Sequence, residues 1–229
     1  TFMKSYLAKA EVSISKWNPI STYEYNGFLI GFVSNLSVEK VPKPEGYSKE
    51  KVIEVAQKYI GNQNESQRMS ISPNIIFIMN EAFWDPTRMK NENVKTNIVF
   101  SEDPMENIRK LQKEHTSGYI YSPAFGGATA NVEFEALTGF STTFLNPGSI
   151  AYQELIDQKS FIPTIVSNLE SKGYDSLAIH PYNKAFYKRS IVYNVFGFDT
   201  FLDMETMKYT TRSGPNISDM SVSNEIFDN

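Results

Sequence analysis

No cysteine occurs in the 229 residues. Disulfides, cysteine-ligated zinc and thiol nucleophiles are therefore excluded as devices of this chain. Long apolar runs are also missing. The longest, near residues 28–33 and 75–79, fall far short of the roughly 18 residues that a membrane-spanning helix needs. Thr1 opens a polar stretch with no apolar signal-peptide core. No basic run or basic amphipathic stripe stands out, and the net charge is −4, so nucleic acid is not an expected partner. Charge-driven binding to a membrane surface is not expected either, although a lipid headgroup could still be held inside a pocket.

What is present suits a soluble globular chain. Hydrophobic residues make up 41% and charged residues 21%, enough apolar content for a core of normal size. The aromatic share is 14%, with 16 Phe and 13 Tyr, and core packing accounts for most of it. Residues 1–47 read as an N-terminal linker or appendage, because Pro42 and Pro44 break regular structure there. Residues 48–229 read as one domain. Ser48 is placed to cap a helix over about 49–60, whose apolar positions Val52, Ile53, Ala56, Tyr59 and Ile60 recur at helical spacing.

Residues 75–79, Ile-Ile-Phe-Ile-Met, predict a strand buried on both faces, the kind found in parallel sheets covered by helices. A helix is expected over 104–115, a strand over 118–122, and a helix from Thr129 to Gly139. A further helix is expected from Pro163 to Gly173, then a strand over 174–180 and a helix over 187–196 closed by Gly197. This alternation predicts an α/β fold with a mostly parallel sheet sandwiched by helices. Sites in such folds gather at the carboxyl ends of the strands. Three groups with useful chemistry sit there or just beyond: Glu81, Thr129 and His180.

Each of the three has a functional and a structural reading. Glu81 could offer a hard carboxylate to a divalent cation, or simply be a solvated acid at a strand end. Thr129 follows Gly126-Gly127-Ala128, where glycine lets the backbone come close to a ligand and a helix start offers free N–H groups to a phosphate. A threonine hydroxyl attacks only when a metal or base activates it, and threonine is also a good helix cap. His180, with Arg189 nine residues on, could grip an anion, or serve as a structural hydrogen-bonder. Glu133 and Glu135 differ by two and face different sides of their helix, so they do not form a catalytic pair. No P-loop or nucleophile elbow is present.

Taken in order, these segments carry a resemblance. Asn80-Glu81 is followed by Gly-Gly-Ala-Thr-Ala-Asn-Val-Glu-Phe-Glu at 126–135. Then come Gly173-Tyr174 through His180, Phe186-Tyr187-Lys188-Arg189, and Phe196-Gly197-Phe198-Asp199. Together they resemble the lipoteichoic acid synthase and phosphoglycerol transferase branch of the alkaline phosphatase/sulfatase superfamily, over about residues 70–203. Residues 19–60 resemble the segment that joins membrane helices to the catalytic domain in that family. The resemblance implies Thr129 as nucleophile and metal ligand, and Glu81 as metal-binding glutamate. It implies His180 and Arg189 as contacts to the glycerol-phosphate group, with Tyr187 standing where tryptophan is common.

A Mn²⁺ or Mg²⁺ cofactor is implied too, with a phosphatidylglycerol-like lipid as donor and a polyglycerol phosphate or glycolipid acceptor. So is an extracytoplasmic location at a bacterial membrane, anchored through segments outside this chain. The family completes its metal site with a downstream Asp-His pair, and this sequence has no Asp-His dipeptide. The expectation is an incomplete catalytic domain, inactive alone. The alternatives are a phosphoethanolamine transferase or a phosphodiesterase or phosphatase of the same superfamily, or a non-catalytic module that binds glycerol phosphate.

Overall fold

The structure is a computed structural model that describes residues 12, 15, 19–35, 43–59, 73–81, 83–88, 99–124, 126–146, 148–156 and 161–229. In chain order its helices and strands are α1 (Pro19–Asn35), α2 (Lys49–Tyr59), α3 (Glu106–Glu114), α4 (Thr129–Thr138), α5 (Ala151–Glu154) and α6 (Ile165–Glu170). They continue with β1 (Leu177–Ile179), α7 (Arg189–Val195), β2 (Thr200–Leu202), β3 (Arg212–Ser213), β4 (Asn216–Ile217) and α8 (Asp219–Asp228). The chain divides into two units. One comprises Thr1–Pro73 with Ala124–Asn229, and the other comprises Asn74–Pro123.

The first unit holds the hydrophobic core. Ala130 and Phe134 of α4 meet Ala151 and Tyr152 of α5, Ala178 of β1, and Val192 and Tyr193 of α7, with Ile150, Ile156 and Phe196 beside them. Aromatic edges lock this layer: Tyr152 meets Phe196 at 5.6 Å and Tyr193 meets Phe201 at 4.8 Å between ring centroids. Burying a side chain such as Phe196 contributes about 2–3 kcal/mol. β1 and β2 pair in parallel, with Ala178 opposite Phe201, and α7 lies between them in sequence as their crossover. β3 and β4 form a short antiparallel pair.

Local chemistry sets the boundaries. The Ser48 hydroxyl accepts from the Lys51 N–H at 3.1 Å, as a cap of α2 should. α6 begins after Pro163 because Thr164 and Ser167 form a reciprocal capping box. It runs only to Glu170, with turns carrying the chain through Gly173, and is shorter than the 163–173 helix expected from sequence. α7 ends in a Schellman pattern, with Phe198 N–H donating to the Tyr193 carbonyl and Gly197 N–H to that of Asn194. Gly197 has φ +92°, and a Cβ there would also meet Ser167 at 3.6 Å.

Within the N-terminal segment expected as a linker or appendage, residues 19–35 form a helix interrupted at Gly27, whose φ of 75° and ψ of 169° are not helical. Pro42 and residues 62–72 lie outside the described residues. Three expectations are corrected. Residues 74–80 and 118–122, expected as strands, pair with no strand among the described residues. Their apolar side chains are exposed: Phe77 at 64% and Ile120 at 94%. A run of apolar residues reports the capacity to be buried, and a central strand also needs ladder partners and covering helices to become one. The helix expected over 187–196 is split. Tyr187 and Lys188 adopt left-handed conformations, φ 57° and 56°, so the regular helix begins at Arg189.

Candidate active site

Thr129 is the first residue inside α4, and Ala128 is its cap, without a side-chain capping bond. Plain N-capping therefore does not describe Thr129. The turn leading to it runs through three positive φ values in succession, 70° at Gly126, 135° at Gly127 and 60° at Ala128. Glycine takes such values freely, whereas the Ala128 Cβ makes its conformation cost on the order of 1 kcal/mol. Thr129 is half-buried and has a polar partner in the structure. Its helix is pinned one turn further on. The Asn131 amide donates to the Ser149 carbonyl and accepts from the Ala151 N–H, both at 2.9 Å and both buried.

Glu133, four residues after Thr129 and so one turn along the same helix, is the hub of a buried polar network. Its Oε1 accepts from Arg189 Nη2 at 2.6 Å. Its Oε2 accepts from Arg189 Nε at 3.2 Å and from the Tyr152 and Tyr193 hydroxyls at 3.0 Å each. Arg189 is 1% exposed and Glu133 6%. The side pairing of a guanidinium with a carboxylate is a strong, oriented contact. Burial opposes the Arg189 charge, but the Glu133 carboxylate and its hydrogen bonds outweigh that and raise the guanidinium pKa. Burial and the Glu133 charge also push both tyrosine hydroxyls up, so they remain donors at neutral pH. Glu135, two residues on, turns the other way and accepts from the Thr142 N–H and hydroxyl.

His180 directly follows β1, and its N–H donates to the Leu202 carbonyl at 2.9 Å. Burial first, then the Arg189 charge, lower its pKa to about 4, so the imidazole is neutral at pH 7. Its Nδ1 is buried and has no hydrogen-bond partner among the described residues, which is uncommon for a buried polar atom. Tyr187 is 5% exposed, and its ring lies 5.2 Å from the Arg189 guanidinium in a cation–π contact. Asp203 follows β2 as His180 follows β1. It is 1% exposed and accepts from the backbone of Lys184 and Glu205 and from the Thr206 hydroxyl.

Thr129, His180, Tyr187 and Arg189 thus belong to the first unit, on three segments that Glu133 and the Arg189 charge link. Glu133 and Asp203 carried no role in the sequence reading. An acid directly after an apolar strand was the available signal for Asp203. For Glu133 only the packing of α4 reveals it. Glu81 lies in the second unit, half-buried in a turn closed by the Phe83 N–H donating to the Asn80 carbonyl.

A divalent cation was expected between Glu81 and Thr129. The donor chemistry is right for a hard cation, but two oxygen ligands are well short of the roughly six that such an ion takes. Among the described residues no group of three or more His, Asp or Glu assembles to hold one.

Residues 73–229 match the Sulfatase family. The chain belongs to the sulfatase family. Its fold is the sulfatase-like α/β arrangement of helices around a small parallel sheet, as part of a domain. Members of the alkaline phosphatase/sulfatase superfamily are typically dependent on divalent metal. A Rhizobium meliloti protein described as "Putative cyclic beta-1,2-glucan modification protein" is 40% identical over 212 residues, covering 92% of this chain and 30% of that protein. An uncharacterized protein of Haemophilus influenzae is 24% identical over 188 residues, covering 80% of this chain and 31% of its own length. The crystal structure of the lipoteichoic acid synthase LtaP from Listeria monocytogenes aligns with a TM-score of 0.41 and 24% identity, over 47% of this chain and 25% of LtaP. The chain spans about 30% of the length of the curated relatives it matches. No helix among the described residues is long and apolar enough to cross a membrane.

Proposed function

We propose that this sulfatase-family chain carries the nucleophile half of an extracytoplasmic phosphotransferase, one that moves glycerol phosphate from a phosphatidylglycerol-like lipid through Thr129. The observation that carries this reading concerns backbone strain. Among the described residues the only non-glycine residues with positive φ are Ala128, Tyr187 and Lys188. They stand immediately before Thr129 and immediately before Arg189. Strain of this kind persists where the surroundings impose it, and it concentrates at functional sites. Here it falls on the two segments that the sequence resemblance had already singled out.

In the first half-reaction the Thr129 Oγ attacks phosphorus. The Oγ–P bond forms as the bond to the diacylglycerol oxygen breaks, and the hydroxyl proton ends on the departing alcohol. In the second half an acceptor hydroxyl takes the phosphorus, and its proton returns to Oγ. The N–H groups at the start of α4, the Arg189 guanidinium and the neutral imidazole of His180 offset charge on the transferring group. Tyr187 packs on the Arg189 face and flanks the glycerol moiety.

The acceptor is a polyglycerol phosphate or a glycan hydroxyl. The name of the Rhizobium relative, matched over nearly the whole of this chain, favours a glucan. The test uses the full-length protein with radiolabelled phosphatidylglycerol and either acceptor. Thr129→Ala is expected to abolish transfer and to remove a glycerophosphate adduct seen by intact mass, with the fold unchanged. Transfer retained by Thr129→Ala overturns the nucleophile assignment.

A further inference from the structure

We infer that Glu133 is a positioning residue for anion binding, acting through Arg189; this rests on the phosphotransferase reading above. A guanidinium has five N–H bonds. In Arg189 three are used: Nε and Nη2 on Glu133, and Nη1 on the Phe186 carbonyl at 3.3 Å. The Tyr193 hydroxyl also lies within hydrogen-bonding reach of the guanidinium, and no other carboxylate or carbonyl among the described residues accepts from it. Glu133 therefore takes the side of the guanidinium, and the edge formed by the two terminal nitrogens is the one left to face a phosphoryl group.

Stability alone does not account for this arrangement. Desolvating two charges offsets most of what a buried ion pair gains, and apolar replacements of similar size often do as well. What the network does secure is orientation. The Tyr152 and Tyr193 hydroxyls fix Oε2 from α5 and α7, so the carboxylate cannot swing, and neither can the guanidinium it holds. Glu133 also sits on the helix that Thr129 begins. One carboxylate thus sets the anion donor and the nucleophile-bearing helix in a common frame. Arg189 is 1% exposed, and the Tyr187 ring covers its face.

Positioning and simple charge balance predict opposite signs. If Glu133 only neutralised Arg189, Glu133→Gln would strengthen anion binding, since it leaves a net positive charge. If Glu133 orients the guanidinium, the same variant weakens binding. The measurement is calorimetric titration of the full-length protein with glycerol 3-phosphate at pH 7. Expected is a loss of about tenfold or more for Glu133→Gln, recovered to within about threefold by Glu133→Asp, which restores the charge-assisted pair. The double variant Tyr152→Phe/Tyr193→Phe keeps both charges and is expected to lose about threefold, so a failure of Glu133→Gln to fold still leaves a reading. Asp199→Asn, which breaks a contact to Ser176 at the β1–β2 edge, serves as the comparison for stability loss alone and should bind like wild type. Unchanged or tighter binding in Glu133→Gln overturns the positioning role, as does wild-type affinity in the double tyrosine variant. If the wild-type protein binds no glycerol 3-phosphate, the phosphotransferase reading falls and this inference with it.

Discussion

The two units of this chain treat their apolar and charged residues in opposite ways. In the first, Phe196 is 0% exposed and Arg189 is 1% exposed, each with partners on several elements. In the second, Phe77 is 64% exposed. Its arginine hub, Arg109, bonds Asp85, Asp103 and Thr87 at the surface. The sequences are similarly rich in apolar residues, so composition does not separate them. Partners do. Segments of the first unit supply each other with ladder bonds, caps and facing side chains, whereas residues 74–80 have none of these among the described residues.

The comparison of the two arginines gives the largest expected effect. Arg189→Ala strands the Glu133 carboxylate in a dry core and should cost about 3–5 kcal/mol. Arg109→Ala removes contacts that water replaces, and it should leave the opening of its own unit unchanged, most clearly at high salt. Hydrogen exchange on the full-length protein reads both, since protection is local. Equal effects in the two units would erase the distinction. Phe196→Ala against Phe77→Ala repeats the test without charge. The first should cost about 3–4 kcal/mol through lost burial and a cavity. The second should stay within about 0.5 kcal/mol.

This contrast also decides how much was legible in the sequence. The helix from Thr129 to the Gly139 cap, the strand ahead of His180, the cap at Ser48 and the parallel α/β character could be read because their signals are local: a cap residue, a period, a closing glycine. The strands at 74–80 and 118–122 could not be settled, because pairing is a property of what lies alongside. The Tyr187–Lys188 break was hidden because neither residue favours positive φ, and tertiary contacts impose it. Glu133 was invisible as a hub for the same reason. Its four donors come from residues 152, 189 and 193, far apart in sequence. Thr129, His180, Tyr187 and Arg189 are singled out by the order of short motifs, and all four fall in the first unit. That order does not show the link of Glu133 to Arg189.

A third test uses pH. The His180 imidazole is held at about 4 in the folded chain, against about 6.5 when unfolded. Between those values the unfolded state binds more protons, so stability falls as pH drops from 6.5 towards 4. The loss is at most about 3 kcal/mol. It should appear as faster exchange of the first unit at pH 4.5 than at pH 7, corrected for intrinsic rates. His180→Gln should flatten that slope, and the second unit should show none of it. A slope of equal size in both units would place its cause elsewhere.

The smallest expected effect separates capping from burial. The Thr164 hydroxyl caps α6 through the Ser167 N–H and also donates to the Phe196 carbonyl at 2.7 Å, with Thr164 5% exposed. Ser48 caps α2 in a more open setting, accepting from the Lys51 N–H and also bonding the exposed Glu50 carboxylate. Ser48→Ala should cost about 0.5–1 kcal/mol, the ordinary worth of a cap. Thr164→Ala loses the cap and also leaves the Phe196 carbonyl short of a partner in a buried place, so about 2 kcal/mol is expected. Exchange rates in α2 and in α6 with α7 report the two separately. If the two substitutions cost the same, the Phe196 bond adds nothing. The end of α7, and with it the frame that carries Arg189, would then be held by the Schellman turn alone.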